Sequence, residues 1–304
     1  MIEAVENEFS FQVGPAPDSN PDRPMPMEWA AYSQKVSAEW NILLAGNPGE
    51  RAVQDFLEFH PSMIPGGYGD VGPGGNHRSE MFAVFTRPEL KGEGPSYIPD
   101  FMWITRSSAL VTPILIEIED PEKPWFTAKG RLTSQFHEAH GQLRDWRTWF
   151  ETGSNKEIFR RRFLFEDTYA SRPIKPYYVL IYGRQSHFSS QKHYLVREQV
   201  RREDEVFMSF DSLRPLEKQH GSLTVKMTAG GQPYPWAFGA GYQTGSFVGE
   251  DAVRLGDPSA ALARSRMISP DRIEYVAARW DYWRQVEVDR DRNKHTYADK
   301  MGLE

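Results

Sequence analysis

The sequence predicts an α/β protein: a mixed sheet flanked by helices, followed by a less regular C-terminal extension. Two observations carry that prediction. Four segments rich in β-branched and aromatic residues read as strands: MFAVFTR (81–87), YIPDFMWIT (97–105), LVTPILIEIE (110–119) and YYVLIYG (177–183). Segments with apolar residues at helical spacing precede the first strand and separate the third from the fourth, giving the order α, β, β, β, α, β.

Taken along the chain, residues 1 to about 30 are rich in Pro, Asn and acid and read as an arm or irregular lead-in. A helix follows at 28–44. A second, at 48–60, carries a cap signature, with Asn47 as N-cap, Pro48 at the first helical position and Glu50 three residues past the cap. GGYGDVGPGG (66–75) reads as a loop. Pro113 weighs mildly against a central position for the third strand, unless a bulge absorbs it. Phe136, Ala139, Leu143, Trp146 and Phe150 define the apolar stripe of a helix at 133–151, and another helix is expected at 190–203. GGQPYPWAFGAGYQTGSF (230–247) looks irregular. A last helix begins at Ser269 and Pro270 and turns Ile273, Val276, Ala277, Trp280 and Trp283 inward. These elements divide the chain into a lead-in (1–44), a core (45–215) and an extension (216–304).

Composition sets outer bounds. The 304 residues are 39% hydrophobic and 26% charged, as in ordinary globular proteins. No run of about 18 apolar residues is present, so no membrane span is expected. The acidic N-terminus lacks the basic, then apolar pattern of a secretory signal. Zero cysteines exclude disulfides and thiolate metal sites and suit the cytoplasm. A net charge of −6 argues against wholesale coating of nucleic acid, although residues 156–202 are locally basic.

The third strand raises the chemical question. Alternate residues of a strand share a face, so Glu117 and Glu119 point the same way, opposite to Ile116 and Ile118. Adjacent like charges repel and raise each other's pKa. Either a multivalent cation or a solvated face resolves the repulsion. Setting the hairpin turn near Ser107 and Ser108 puts Asp100 opposite Leu115 and diagonal to Glu117, on the same face. Three carboxylates so arranged are the oxygen ligands that Mg²⁺ or Mn²⁺ prefers.

IPDF (98–101), LIEIEDPEKPWFTAKG (115–130) and FHEAHGQLRDWRTW (136–149) resemble the nuclease domain of the Shedu anti-phage defence proteins. FLEFHPSMI (56–64) and FDSL (210–213) fit it more weakly, and the resemblance spans roughly 45–215. It implies the restriction-endonuclease-like core of the PD-(D/E)xK superfamily, a Mg²⁺- or Mn²⁺-dependent DNA endonuclease or nickase, and a homo-oligomer, tetrameric as in Shedu proteins. Pro99-Asp100, with Glu117 seventeen residues on, matches the motif and implies metal-binding roles for Asp100 and Glu117. The motif's third position, usually Lys, is Glu119 here. Some restriction endonucleases of this pattern carry Glu there and remain active, so the resemblance still allows Glu119 to bind the ion or act as general base. Glu50 corresponds to the acidic residue of the first core helix, and Gln142 to a helix glutamine bordering the site. Each has a plain alternative: Glu50 as part of a helix cap, Gln142 as a polar flank.

Other candidates are weaker. Lys123 reads as a loop lysine that can also swing toward a phosphate. His137 and His140 are three apart, not the four of the zincin helix, and no third ligand is in view. Arg160 to Arg162 and REQVRR (197–202) read as solvated helix faces or phosphate contacts. His60, His77, His187 and His193 have no assigned role, and Trp125 and Trp146 read as core or hinge aromatics rather than base-stacking platforms. Two rival functions remain: a nucleic-acid-binding or end-sensing module that has lost turnover, and a glycosidase. Glycosidase carboxyls sit about 5–9.5 Å apart across a cleft, which neighbours on one strand face build poorly.

Overall fold

The computed structural model describes residues 23–73, 79–165, 171–245 and 248–293. Helices α1 (Trp29–Ala45) and α2 (Glu50–Phe59) lead into strands β1 (Ala83–Thr86), β2 (Phe101–Arg106) and β3 (Val111–Ile118). Helices α3 (Ser134–Glu151) and α4 (Asn155–Phe163) follow, then β4 (Tyr177–Ile181), α5 (Gln191–Val200) and β5 (Glu205–Met208). The remainder adds β6 (Leu223–Met227), β7 (Pro233–Phe238), α6 (Gly249–Leu255), α7 (Ser259–Arg264) and α8 (Pro270–Asn293). All seven strands form one mixed sheet in the order β5-β4-β3-β2-β1-β6-β7.

The expected strands and helices are present. β1 and β3 lie antiparallel to β2, β4 and β5 parallel to β3, and β6 parallel to β1. Five strands therefore end on the same edge of the sheet. In open α/β sheets the carboxyl ends of parallel strands form the crevice where ligands bind, because connecting loops diverge there.

Alternating side chains load both faces. Phe85, Met102 and Leu115 pack with Phe136, Leu143 and Trp146 of α3, Phe159 and Phe163 of α4, and Trp280 of α8. Val84, Trp103 and Ile116 pack with Val36 and Trp40 of α1 and Val53 and Leu57 of α2. Trp125 and Trp146 are fully buried core residues. Burial of each such side chain contributes about 1.5–3 kcal/mol. The caps of α3 and α8 are legible: Thr133 accepts the Phe136 amide at 3.2 Å, and Ser269 accepts the Arg272 amide at 3.3 Å.

The structure corrects four expectations. α2 begins at Glu50 behind Gly49, and Asn47 takes a left-handed backbone (φ 49°) rather than the N-cap. No side chain caps that helix, which removes the capping-box reading of Glu50. Phe101 pairs with Ile116, so the ladder continued by one residue sets Asp100 across from Glu117, not Leu115. A shift of two residues preserves the face. Third, β3 is central despite Pro113: its register against β4 brings Pro113 to Pro176, and the ladder is interrupted there. Finally, the stretch 230–247 contains β7, whose prolines are tolerated because it closes the sheet as an edge. The N-terminal arm through residue 22, His77, and the ends of both glycine-rich stretches lie outside the described residues. Among the described residues no helix is long and apolar enough to cross a membrane.

A buried carboxylate cluster at the carboxyl edge of the sheet

β3 delivers Glu117 and Glu119 to the α3 side of the sheet, and each is only 7% exposed. That burial rules out a solvated face. The start of β2 brings Asp100 beside them, where its Oδ2 accepts the Ile118 amide at 2.9 Å. Directly opposed residues of an antiparallel pair hold their Cβ atoms about 4.5–5.5 Å apart. Glu50 enters from the first turn of α2, and Gln142 reaches Glu117 from α3. All five predicted site residues thus act on one cluster.

The electrostatics follow from that crowding. Burial raises the Asp100 pKa to about 7, Glu50 and Glu119 add to the rise, and the Ile118 amide and Arg87 oppose it. Glu117 is pushed well above the carboxylate range, first by burial, then by Asp100, Glu119 and Glu50, with Gln142 pulling the other way. Glu50 lies at the exposed rim of the cluster, and its pKa is raised by partial desolvation and by Glu119, with Lys123 and Arg87 offsetting part of this. Glu117 Oε2 has no hydrogen-bond partner among the described residues. A buried carboxylate oxygen without a partner costs about 1–3 kcal/mol unless a cation or proton meets it. That orphan oxygen and the all-oxygen donor set fit a hard divalent cation.

Glu119 is drawn to the rim. Its Oε2 forms an ion pair with Lys123 Nζ, and among the described residues no group of three or more His, Asp or Glu side chains is placed so that it could hold a metal ion. Burial works against the Lys123 charge, but the bond to Glu119 outweighs it and lifts the ammonium above its usual pKa. The loop carrying Lys123 is fixed from below. Pro124 O accepts from Thr133 Oγ1 at 2.8 Å and from Tyr182 Oη at 3.4 Å. Gly183, at φ +57°, lies so close that an added Cβ would sit 2.7 Å from the Lys123 carbonyl oxygen. Gly183→Ala is therefore expected to destabilise the fold by about 2–3 kcal/mol, from left-handed strain plus overpacking. Chemical denaturation checks the loss.

Sequence reasoning missed Tyr182, Gly183 and, above all, Arg87. Arg87 follows β1 directly, and its amide donates to Asp100 O at 2.8 Å. Its only sequence signal was a cation at the end of a strand. Other candidates resolve to structural roles. His140 Nε2 contacts Glu205 Oε2 at 2.9 Å, within a network with Arg147, and no zinc set forms among the described residues. Arg160 and Arg161 pair with Glu157, Arg162 with Glu89, and Arg197 and Arg201 with Glu198, so most of these arginines are engaged in ion pairs. His193 stacks on Phe126 with ring centroids 4.0 Å apart.

The cluster yields a stability test with a definite sign. Asp100 has a folded pKa of about 7, above its unfolded value, so ionising it in the folded state is unfavourable. Stability is thus lost as pH rises from the unfolded value through about 7. In EDTA, Asp100→Asn is expected to exceed the parent by roughly 1–3 kcal/mol at pH above 7, since such burial-driven shifts are worth about 1.4 kcal/mol per pKa unit. The advantage should vanish near the unfolded pKa, as read from melting temperature against pH.

These features define a mixed-sheet α/β protein with a buried acidic cluster at the carboxyl edge of its parallel strands. The family described as Shedu protein SduA, C-terminal, matches residues 47–214, and the chain belongs to that family. Membership suggests a part in anti-phage defence. Strands β6 and β7 and the last three helices lie beyond the matched segment. Comparison with curated proteins finds no match.

Proposed function

We propose that this protein is a divalent-metal-dependent DNA endonuclease or nickase of the PD-(D/E)xK type, acting in the cytoplasm as a homo-oligomer in anti-phage defence. One observation supports the reading above the others. Asp100 and Glu117 meet on one sheet face at the carboxyl edge of the parallel strands, with raised pKa values and an orphan Glu117 oxygen. Asp100 and Glu117 would hold Mg²⁺ or Mn²⁺. Such an ion lowers the pKa of its water and stabilises charge developing at phosphorus. Gln142 orients the Glu117 carboxyl. Glu119 accepts the proton of the attacking water, and Lys123 holds the Glu119 carboxylate in place through their ion pair.

A second reading keeps the fold and DNA binding without turnover. It is favoured by Glu119 standing where the motif has Lys and by the engagement of its carboxylate with Lys123. Incubation with linear and circular DNA plus Mg²⁺ or Mn²⁺, resolved on a gel, separates the two. Nicking or cutting that EDTA abolishes supports the nuclease. Binding without cleavage under either ion gives the second reading.

A further inference from the structure

Arg87, next to Asp100 at this edge, has a strained backbone. Its φ is +49°, in the left-handed region that residues with a Cβ rarely adopt. It precedes Pro88, and residues before proline favour extended backbone, which makes the conformation more unusual. Strain of this kind persists where the surroundings over-determine it, and it concentrates at ligand-binding sites. Here the surroundings are identifiable. The amide of Arg87 donates to Asp100 O, so the ends of β1 and β2 are pinned together.

The pairing also sets the neighbours. Thr86 faces Phe101 and Phe101 faces Ile116, so the next row reads Arg87, Asp100, Glu117 across three strands. An arginine needed only to neutralise those acids would be expected to lie buried in an ion pair with one of them. Arg87 is exposed and forms no ion pair with any described residue. It is a cation held at the edge of an acidic site with its donors available. Its planar fork matches the paired oxygens of a phosphodiester better than a lysine ammonium does.

We propose that Arg87 is a substrate-contacting residue whose guanidinium binds the non-bridging oxygens of the phosphodiester presented to the carboxylates. The proposal rests on the nuclease reading and names the residue that offsets the repulsion between DNA and an acidic site. Lys123, occupied by Glu119, is less available for that role.

The test measures binding of a short linear duplex DNA against salt, in Ca²⁺ to prevent turnover, followed by cleavage in Mn²⁺. Loss of one phosphate contact should lower the slope of log affinity against log salt by about 0.9 and weaken binding roughly tenfold. Arg87→Gln is expected to show both effects, and Arg87→Lys to recover part of the affinity. Lys175→Gln, at the opposite end of β4, should leave the slope unchanged. Arg87→Gly provides a check against misfolding: relief of the left-handed strain should raise the melting temperature while DNA affinity falls. If Arg87→Gln binds with the parent's slope, the proposal is overturned, whether or not the parent cuts. If the parent binds DNA but never cuts it, the nuclease reading fails and the slope still decides Arg87. A parent that neither binds nor cuts DNA overturns both.

Discussion

Glu117→Lys is expected to abolish DNA cleavage while leaving a folded, DNA-binding protein. Glu117 is buried between the Asp100 carboxyl and α3, and one of its oxygens has no partner among the described residues. An ammonium there removes a ligand and sets a positive charge where the cation would sit. Loss of partners one layer out from a metal typically costs 10–100-fold, so loss of a direct ligand should exceed about 100-fold. Glu117→Gln is the shape-conserving companion. It keeps the volume, removes the charge, and should cut almost as poorly while melting higher than the parent in EDTA. If Glu117→Lys cleaves at the parental rate, the carboxylates are not the site.

On the nuclease reading, the second large effect is expected at Glu119, which stands where the PD-(D/E)xK motif has Lys. General-base contributions run about 10²–10⁴-fold, so Glu119→Ala should nearly silence cleavage and leave DNA affinity intact. The ion pair with Lys123 sharpens the interpretation. Removing Glu119 frees Lys123, and if Lys123 is the more important group, Glu119→Ala will cut as fast as the parent and Lys123→Gln will not. Glu119→Lys restores the usual motif and lessens repulsion among the carboxylates. It is expected to retain measurable cleavage, with an altered preference between Mg²⁺ and Mn²⁺.

The core of this fold was legible because its long elements carry strong periods. The stripe from Phe136 to Phe150 matches α3, and the β3 run matches its strand even to the common face of Glu117 and Glu119. Asp100 reached the right face through a register wrong by two residues, because the side-chain period of a strand is two. What was not legible is short or non-local. EVFM and PYPWAF are too brief or too proline-rich to announce themselves, and they become strands because a neighbour offers an edge. Arg87 and Gly183 were invisible for another reason. Their importance lies in backbone conformation and in what approaches them: Asp100 in one case, the Lys123 carbonyl in the other.

The central claim is that Asp100 and Glu117 form a divalent-cation site, and calorimetric titration with Mn²⁺ tests it without reference to turnover. Saturable binding to the parent is expected, lost in both Asp100→Asn and Glu117→Gln. Because burial leaves both Asp100 and Glu117 with raised pKa values and each must give up a proton to bind, affinity should fall as pH drops below about 7, by up to about a hundredfold per pH unit where both are protonated. Absence of Mn²⁺ binding by the parent, or binding that survives unchanged in both variants, would contradict the account.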